Sequence, residues 1–465
     1  MQPAFFRLFF FILGWTWFSQ PIYLLSQNSI YLRDVKFIGL KKTKPQALLR
    51  FLEFEPHHVI APNRLPQLLE QSSRNIYNTG LFNKVEIQDT LIEDSLSLQI
   101  TVKERWYIFP QPYFLLEERT FTDFVKEPST KRLTYGMGVD WQNFTGRLDN
   151  LWAGFTLGYS KRFFGYYFLP YAFPKSKVDI SFWGLYQKNK EVNIGSINGK
   201  LFRFFLNEND FQESHKYILS FSKRVSNIEK ASFELGYTYK SFHDSLYFFR
   251  ENYLTNRKGI EYYPTFRLIY KYDQRDVYAF PLEGYKFFAS AEYNGLGKWS
   301  STNFIKLKLN FSQFHPIKKR WNFGYAGYFH QSFGYKIPYY DKFFIGFSDF
   351  LRGYEKYVID GTTIFMMKTD FKFAVVPKRI TSSKMLPGKF KDFPFGIYLV
   401  WLNDLGMVND LSFNNDDPFL KNQWLYSTGW GIQIPFIYDS LFRFEYTYNH
   451  LKEWNWFFDL VIPLR

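Results

Sequence analysis

The 465-residue chain contains no cysteine. This absence excludes disulfide frameworks, thiolate metal sites and a lipid-modified N-terminal cysteine. Histidine is scarce as well, with seven residues, and the adjacent pair His57 and His58 lacks the spacing of metal ligands. The sequence also lacks a Gly-x-Ser-x-Gly elbow, a His-Glu-x-x-His helix and a phosphate loop. We therefore predict a protein that is not an enzyme and has no catalytic residue, no cofactor and no metal site.

A hydrophobic run long enough for a signal peptide or a membrane-spanning helix occurs only at the N-terminus. Residues 1–7 carry one positive charge, and Leu8–Phe18 is an apolar run of signal-peptide length. We interpret residues 1–27 as a secretory signal peptide. A membrane anchor is the alternative, because residues 22–25 extend the apolar stretch and no Ala-x-Ala cleavage site follows. Both interpretations export the chain.

Aromatic residues and positive charge are what the chain has in excess. Phe, Tyr and Trp make up 23% of the residues, beside 22% charged residues, which argues against disorder. Lys and Arg number 58 against 43 Asp and Glu, a net charge of +15. That charge suits nucleic acid, anionic lipid or a lumen that handles polypeptide. Nucleic acid is disfavoured, because the chain is exported and carries no RNA- or DNA-binding motif.

Residues 30–104 show the pattern of one compact α+β domain. Leu65, Leu68, Leu69 and Ile76 fall at helical spacing, and Gly80 is placed to end that helix. The later strands alternate apolar and polar residues. The predicted order is β-α-α-β-β, with a strand at 31–39, helices at 44–52 and 64–80, and strands at 82–88 and 95–104.

Beyond this domain the sequence alternates with a period of two. Residues 105–133 contain Pro110, Pro112 and Pro128, and we interpret them as the connection to the next region together with the approach to its first strand. Residues 134–465 are predicted to form a transmembrane β-barrel of about 16 antiparallel strands. A soluble β-sandwich would alternate similarly, but the strongly aromatic apolar face favours the barrel. The clearest alternating segments are 233–240, 305–312 and 442–449.

One segment of the small domain carries a family resemblance. The sequence YNTGLFNKVEI at 77–87 resembles the signature of POTRA domains, which precede the barrel in the BamA/TamA/FhaC superfamily of outer-membrane insertases and translocases. The resemblance implies that residues 30–104 form a single periplasmic POTRA domain, which receives client chains by β-augmentation. The signature residues are Tyr77, Gly80, Leu81, Phe82 and Val85.

A second resemblance lies at residues 343–357, FFIGFSDFLRGYEKY, which are similar to the inward-folded loop of the same superfamily. Relatives usually have paired glycines where this chain has Gly346 and Phe347, a departure that predicts a less flexible approach to the tip. The residues assigned to the tip are Phe350, Leu351, Arg352, Gly353 and Tyr354.

An arginine held inside a barrel requires a carboxylate partner, because an unpaired charge in a partly dry site is costly. Asp404, followed by Gly406, resembles the Asp-x-Gly strand motif of the family that faces the lumen. We therefore predict an ion pair between Arg352 and Asp404, with Gly353 permitting the tip turn. A hairpin with a solvated arginine is the alternative.

Two further barrel segments are assigned structural roles. DQRDVYAFPLEG resembles a strand-turn-strand segment of the family, carried by Asp273, Arg275, Pro281 and Gly284. Residues 430–436 resemble a late barrel strand.

The closure of the barrel is expected to be weak. We place the seam between the first strand near Gly138 and the last strand near Leu460, where Pro463 cannot donate a ladder hydrogen bond. A gate that opens laterally and a frayed terminus are both compatible with this pattern.

Together these features predict an outer-membrane protein assembly or insertion factor, as a core or an accessory subunit, with its POTRA domain in the periplasm of a Gram-negative-type bacterium. The expected partners are unfolded outer-membrane client proteins and outer-membrane lipid, with other subunits of an assembly complex as further candidates. A polypeptide secretion channel of the two-partner type and a non-catalytic scaffold of an envelope complex remain alternatives.

Overall fold

The computed structural model describes most of the chain, and the described residues fall into two compact units that are divided between Arg105 and Trp106. Among the described residues, no helix combines the length and the apolar composition needed to cross a lipid bilayer. The predicted signal peptide lies outside the described residues, as do Phe347 and Pro463. The described residues are 30–54, 58–92, 95–116, 132–173, 176–206, 210–226, 228–246, 253–256, 258–277, 280–334, 336–346, 349–382, 392–410, 418–436 and 440–461.

Within its described residues, the N-terminal unit consists of a four-stranded sheet and two α-helices. The strands lie in the order β2-β1-β4-β3, in which β1 and β4 are parallel and the other pairs are antiparallel. The predicted α+β order is present, with the short strand β2 added before the second helix. Its elements are β1 (Ile30–Ile38), α1 (Pro45–Leu49), β2 (Val59–Ile60), α2 (Leu65–Asn78), β3 (Phe82–Ile92) and β4 (Ser95–Glu104).

Helix α2 packs one face on this sheet. Leu65 and Ile76 are buried at helical spacing, with Leu68 and Leu69 partly buried against the same core. On β4, alternate residues Leu96, Leu98, Ile100 and Val102 are buried and complete the core.

The second unit is built on a 16-stranded antiparallel sheet, which confirms the predicted number of strands and their direction. The sheet runs from β5 to β24 in chain order, and the two hairpins β10–β11 and β18–β19 lie outside it. The strands are β5 (Ile108–Leu116), β6 (Leu133–Gln142), β7 (Asn150–Gly158), β8 (Ser160–Phe173), β9 (Val178–Asn189), β10 (Glu191–Ile197), β11 (Lys200–Phe205), β12 (Gln212–Arg224), β13 (Glu229–Phe242), β14 (Ile260–Asp273), β15 (Gly284–Asn294), β16 (Phe304–Lys318), β17 (Trp321–Phe333), β18 (Phe343–Ile345), β19 (Ile359–Gly361), β20 (Thr363–Ser382), β21 (Asp392–Asn409), β22 (Trp424–Pro435), β23 (Leu441–Asn449) and β24 (Trp454–Val461).

The first strand of this sheet lies in a segment that the sequence predicts to be a connection. Residues 105–133 were predicted to be a connection, yet Ile108–Leu116 forms β5 and pairs along its length with β6. Pro110 and Pro112, which suggested a linker, lie within that strand. The physical reason is that proline is tolerated on an edge strand, where its missing N–H costs no ladder hydrogen bond.

The two faces of the sheet differ in chemistry. The outer face exposes large apolar side chains such as Phe233, Leu268, Leu309, Trp430 and Trp456. The inner face carries charged and polar residues, and the segment between β17 and β20 packs against it. We call that segment, residues 334–362, the inner loop. We call the end of the sheet where β5 begins the proximal end and the opposite end the distal end.

Candidate functional site: the inner loop, the lumen and the end strands

Arg352 at the tip of the inner loop contacts the predicted carboxylate on β21. Its Nε donates to Asp404 Oδ1 at 2.9 Å, a guanidinium nitrogen pairs with the same oxygen, and its backbone amide donates to Asp404 Oδ2 at 3.0 Å. Arg352 also donates to Asp370 Oδ1 on β20. Both carboxylates face one buried guanidinium, so the loop tip is joined to two adjacent strands.

The next tip residue, Gly353, has a conformation and a packing that favour glycine. Its φ is +82°, and a Cβ built on it would lie 3.1 Å from Ser427 Cβ. Its carbonyl accepts hydrogen bonds from the side-chain amides of Asn449, at 2.7 Å, and Asn455, at 3.0 Å. Ser427 Oγ donates to the Arg352 carbonyl at 2.6 Å. Strands β22, β23 and β24 therefore all hold the tip.

The other predicted tip residues are placed as follows. Leu351 is fully buried and lies over Gly406, where an added Cβ would come within 3.1 Å of Leu351 Cδ2. Tyr354 is buried, donates from its hydroxyl to the Tyr426 carbonyl at 3.0 Å and contacts His450. The Phe350 carbonyl accepts a hydrogen bond from Lys368. The structure thus brings the whole predicted tip, Asp404 and Gly406 together.

Beside the loop tip the lumen contains a cavity of about 810 Å³. Its wall carries charges of both signs from the inner loop, the β14–β15 turn and strands β15, β20, β23 and β24. The charged residues in the wall are Arg275, Lys286, Asp349, Arg352, Glu355, Lys368, Asp370, Lys372, Arg443, Glu445 and Asp459. Such a surface can contact an extended polypeptide, but within the described residues no group of His, Asp and Glu could hold a metal ion.

The predicted strand-turn segment enters the lumen at the proximal end. Asp273 accepts two hydrogen bonds, each of 2.8 Å, from the Arg275 guanidinium, although Arg275 lies in the turn just beyond β14. Gly284 has φ +95°, and a Cβ there would meet the Gln274 carbonyl oxygen at 2.3 Å. These contacts fold the turn tightly at the start of β15.

The same turn places Phe280 in a buried cluster with β20, β21 and β23. Phe280 is 2% exposed, and its ring lies 4.7 Å from that of Tyr398. Lys372 lies over the Phe280 ring at 4.4 Å, and its Nζ reaches the Pro281 carbonyl at 3.5 Å. The turn therefore packs on inner-face residues of strands that are not its neighbours in the sheet.

The distal end is covered by the hairpin β10–β11. At the hairpin tip, the Gly199 carbonyl accepts a hydrogen bond from the Val358 amide at 2.7 Å, and a Cβ on Gly199 would lie 2.7 Å from Tyr357 Cδ1. Ser196 Oγ donates to Asp360 Oδ1 at 2.6 Å. Hairpin and inner loop thus form one packed layer inside the distal end.

Buried ion pairs join this layer to the ends of the strands. Lys421 pairs with Asp360 at 3.0 Å and Lys342 pairs with Asp410 at 2.7 Å, and all four side chains are at most 5% exposed. Removing one member would leave a buried charge unpaired, so each pair opposes displacement of the layer.

One of the predicted seam residues lies on a different strand from the one predicted. Gly138 was placed on the first strand, but it lies on β6, the second strand, paired with Gln111 and Gly154. A Cβ on Gly138 would lie 2.8 Å from the Tyr113 ring, so its small size lets that ring lie against the sheet. The error followed from interpreting β5 as a connection.

Leu460 does lie on the last strand, paired with Phe442. Among the described residues, β5 and β24 are the two ends of the sheet order and share no ladder. Pro463 falls outside the described residues.

The POTRA signature residues surround the end of α2. Gly80 follows the helix with φ +77°, and its amide donates to the Tyr77 carbonyl at 3.1 Å. Leu81 and Phe82 are buried, Val85 pairs with Val102 on β4, and Tyr77 remains exposed under the Arg105 guanidinium. The signature thus contributes the helix end and the first core residues of β3.

Several residues that hold this site were not found from the sequence. Asp370, Ser427, Asn449 and Asn455 contact the loop tip from the inner faces of four strands, and Phe280 packs in the lumen. In the sequence, the first four are simply polar residues of alternating strands, and Phe280 is an apolar residue in a turn. Neither pattern identifies a distant partner.

A sixteen-stranded antiparallel sheet with an apolar outer face and a loop held against its charged inner face, preceded in the chain by a small α+β domain, defines an outer-membrane β-barrel with a POTRA domain. The chain belongs to the Omp85 superfamily: the model of the Omp85 superfamily domain matches residues 143–455. A POTRA model described as surface antigen variable number repeat matches residues 30–105. Both matches confirm the resemblance inferred from the sequence.

Solved structures of other proteins have a similar fold. BamA from Haemophilus ducreyi lacking POTRA domains 1–3 is 16% identical, with 93% of this chain and 84% of that chain covered and a TM-score of 0.65. CdiB from Escherichia coli is 13% identical, with 93% and 74% covered and a TM-score of 0.51. CdiB from Acinetobacter baumannii is 14% identical, with the same coverage and a TM-score of 0.50. A search among proteins of curated function found no match.

Membership of the superfamily indicates the function only in general terms. Superfamily members are non-catalytic insertases or transporters, and their barrels sit in the outer membrane. The similar structures include one BamA and two CdiB proteins, so they do not distinguish assembly from secretion.

Proposed function

We propose that this chain is an outer-membrane protein assembly factor that inserts client β-barrels at the lateral edge of its own sheet. The observation that carries the proposal is the occupation of the lumen by the inner loop. Five strands, β20 to β24, contact the loop tip through the side chains of Asp370, Asp404, Ser427, Asn449 and Asn455. A client that leaves sideways, between β24 and β5, would not need to displace these contacts.

The distal layer supports the same route. The Gly199 carbonyl of the hairpin β10–β11 accepts a hydrogen bond from the Val358 amide of the inner loop. Buried ion pairs of Lys342 and Lys421 join the inner loop to the chain just after β21 and just before β22. An axial path for polypeptide would require breaking these buried pairs, each of which leaves an uncompensated charge. A lateral route requires only strand pairing at the sheet edge, which supplies backbone hydrogen bonds that lipid cannot.

In this proposal the POTRA domain lies in the periplasm and receives unfolded client chains, by strand addition at an exposed edge of its sheet. The chain acts as a core or an accessory subunit without catalytic chemistry, and other subunits of an assembly complex are candidate partners. Outer-membrane lipid contacts the apolar outer face.

The second candidate is a secretion channel of the two-partner type. The charged cavity of about 810 Å³ favours it, because it is a polar space inside the lumen beside the loop tip. In that case the inner loop and the distal layer would have to move aside during transport. A scaffold role in an envelope complex is the third possibility.

Depletion of the protein in its host, followed by quantitative proteomics of the outer membrane, tests the proposal. We expect many unrelated β-barrel proteins to decrease together. Loss of one secreted protein with normal barrels would instead support the secretion channel, and an unchanged barrel and secreted proteome would support the scaffold. A depletion strain complemented with the wild-type chain is the control.

A further inference from the structure

The two end strands of the sheet differ in the hydrogen-bonding capacity of their outer edges. In an antiparallel pair, alternate residues direct N–H and C=O toward the neighbour, and the residues between them direct both groups the other way. The Gln142 amide donates to the Tyr107 carbonyl at 2.8 Å, just before the ladder in which Ile108 pairs with Trp141. Odd-numbered residues of β5 therefore bond with β6, and even-numbered residues point toward the outer edge.

Both prolines of β5 are even-numbered. Pro110 and Pro112 place their ring nitrogens at the outer edge of the strand, where neither can donate a hydrogen bond. Their carbonyls remain as acceptors at that edge. A strand added to β5 would find no donor at two successive outward positions, in the middle of a nine-residue strand.

The outer edge of β24 has the opposite character. The Asn449 amide donates to the Glu453 carbonyl at 3.1 Å, and Thr447 pairs with Asn455. Odd-numbered residues of β24 therefore bond with β23, and Trp454, Trp456 and Leu460 direct their backbone groups to the outer edge. The strand from Trp454 to Val461 contains no proline, so donors and acceptors alternate along its full length.

We propose that the β24 edge is the acceptor for client strands and that the prolines exclude clients from the β5 edge. The inference rests on the proposed assembly function and names the partner surface within it. The partner is an extended strand of an unfolded outer-membrane β-barrel. On β24 every second residue of such a strand exchanges two hydrogen bonds, whereas on β5 two of its carbonyls would lack donors in a lipid-bordered setting.

Disulfide trapping in cells tests the inference, because the chain has no cysteine of its own. Trp456→Cys on β24 and Phe114→Cys on β5 form a matched pair, both outward-facing aromatics, 50% and 76% exposed. The probe is an eight-stranded outer-membrane barrel protein with single cysteines scanned through its first and last strands. We expect disulfides between the probe and the β24 cysteine, with few to the β5 cysteine.

The other outcomes are distinguishable. Disulfides mainly to β5, or equally to both edges, would overturn the inference while leaving lateral assembly intact. Disulfides to neither edge, with the probe still dependent on this protein for insertion, would overturn the inference. Disulfides to neither edge with insertion independent of the protein would overturn the proposed function itself.

Restoring the missing donors tests the cause. In Pro110→Thr combined with Pro112→Thr, the β5 edge regains two donors, and each hydrogen bond changes a pairing equilibrium about fivefold. We expect trapping by Phe114→Cys to rise at least about fivefold in this background. Gln111→Thr is the matched control, because that amide bonds with β6. Unchanged trapping in a folded, exported double variant would refute the role of the prolines.

Discussion

At the scale of single residues, Arg352 is the charge on which the loop tip depends. Its guanidinium is buried against Asp404 and Asp370, and its backbone also bonds to the barrel wall. Gly353 follows with a positive φ in a space closed by Ser427. The first residue supplies charge pairing and the second supplies a backbone shape, so their substitutions should act through different causes.

Arg352→Ala should destabilise the barrel by about 3 kcal/mol, because it leaves two buried carboxylates without their cation. The chain should still be exported. Loss of the heat-resistant folded form on gels, as a function of temperature, measures the effect. Asp404→Ala completes a double-mutant cycle, and the double variant should lose less than the sum of the two single ones. Unchanged heat resistance in Arg352→Ala would count against a bracing loop.

Gly353→Ala should lower the free energy of unfolding by about 1 to 2 kcal/mol because of the positive φ. The contact of the added methyl group with Ser427 should lower it further. Gly297→Ala is a matched control, since Gly297 has φ +58° and no atom within 4 Å of a built Cβ. Thermal unfolding of the purified variants compares the two. If both lose the same stability, the packing at Ser427 contributes nothing.

In the POTRA domain, Glu104 binds the backbone that follows β1. Its carboxylate accepts hydrogen bonds from the amides of Lys42, at 3.1 Å, and Thr43, at 2.8 Å. Burial by itself raises the pKa of Glu104, but the hydrogen bonds from Thr43 and Lys42 outweigh it and hold the pKa below its ordinary value.

Because the folded pKa of Glu104 is lowered, its stabilisation is complete above the pKa of the unfolded chain and is lost as pH falls through the lowered folded value. Glu104→Gln should therefore speed amide exchange at Lys42 and Thr43 at pH 7. At pH 3 the variant and the wild type should become more alike. Hydrogen exchange with mass spectrometry measures this, and an equal difference at both pH values would exclude the carboxylate charge as the cause.

At the scale of elements, two segments outside the regular sheet control the space inside it. The β14–β15 turn places Phe280 against Tyr398 at the proximal end. The hairpin β10–β11 covers the distal end, where Gly199 lies against Tyr357. The turn is positioned by an aromatic residue, and the hairpin is positioned by a glycine that permits close contact.

Gly199→Val should lift the hairpin from the inner loop, because its Cβ would lie 2.7 Å from Tyr357 Cδ1 and 3.1 Å from Phe419 Cδ1. We expect a higher single-channel conductance in planar bilayers than for the wild type. Gly297→Val serves as the control, since it has the same backbone strain without the contact. Equal conductance of Gly199→Val and wild type would show that the hairpin does not limit the distal opening.

At the scale of the whole molecule, the end strands β5 and β24 decide whether the sheet can act laterally. All the other strands of the sheet lie between them in the sheet order, and among the described residues no ladder joins them. A covalent link across them should therefore affect function more than it affects the fold.

A flexible bis-maleimide between Phe114→Cys and Trp456→Cys, both near the distal end, should block assembly of client barrels in reconstituted vesicles. The same double variant treated with a mono-maleimide is the control. Full activity after complete linkage would remove the lateral route. Loss of activity in the control as well would assign the effect to the lost aromatic side chains.

The sequence by itself determined the class of protein and much of its architecture. Alternation with a period of two predicted the antiparallel strands, because each strand has one face in apolar surroundings and the other in polar surroundings. The turn at Gly80 and the Leu351–Tyr354 tip identified the superfamily. Asp404 was found because a buried guanidinium requires a carboxylate and one motif offered it.

Only the tertiary structure decided which strand comes first, what fills the lumen and which residues hold the loop tip. Pro110 and Pro112 are locally compatible both with a linker and with an edge strand. Only the pairing of this segment with β6 shows that it is a strand. Asn449 and Asn455 reach Gly353 from about a hundred residues away, as the separations of 96 and 102 positions show. Such contacts depend on the curvature and register of the whole sheet, which no local pattern encodes.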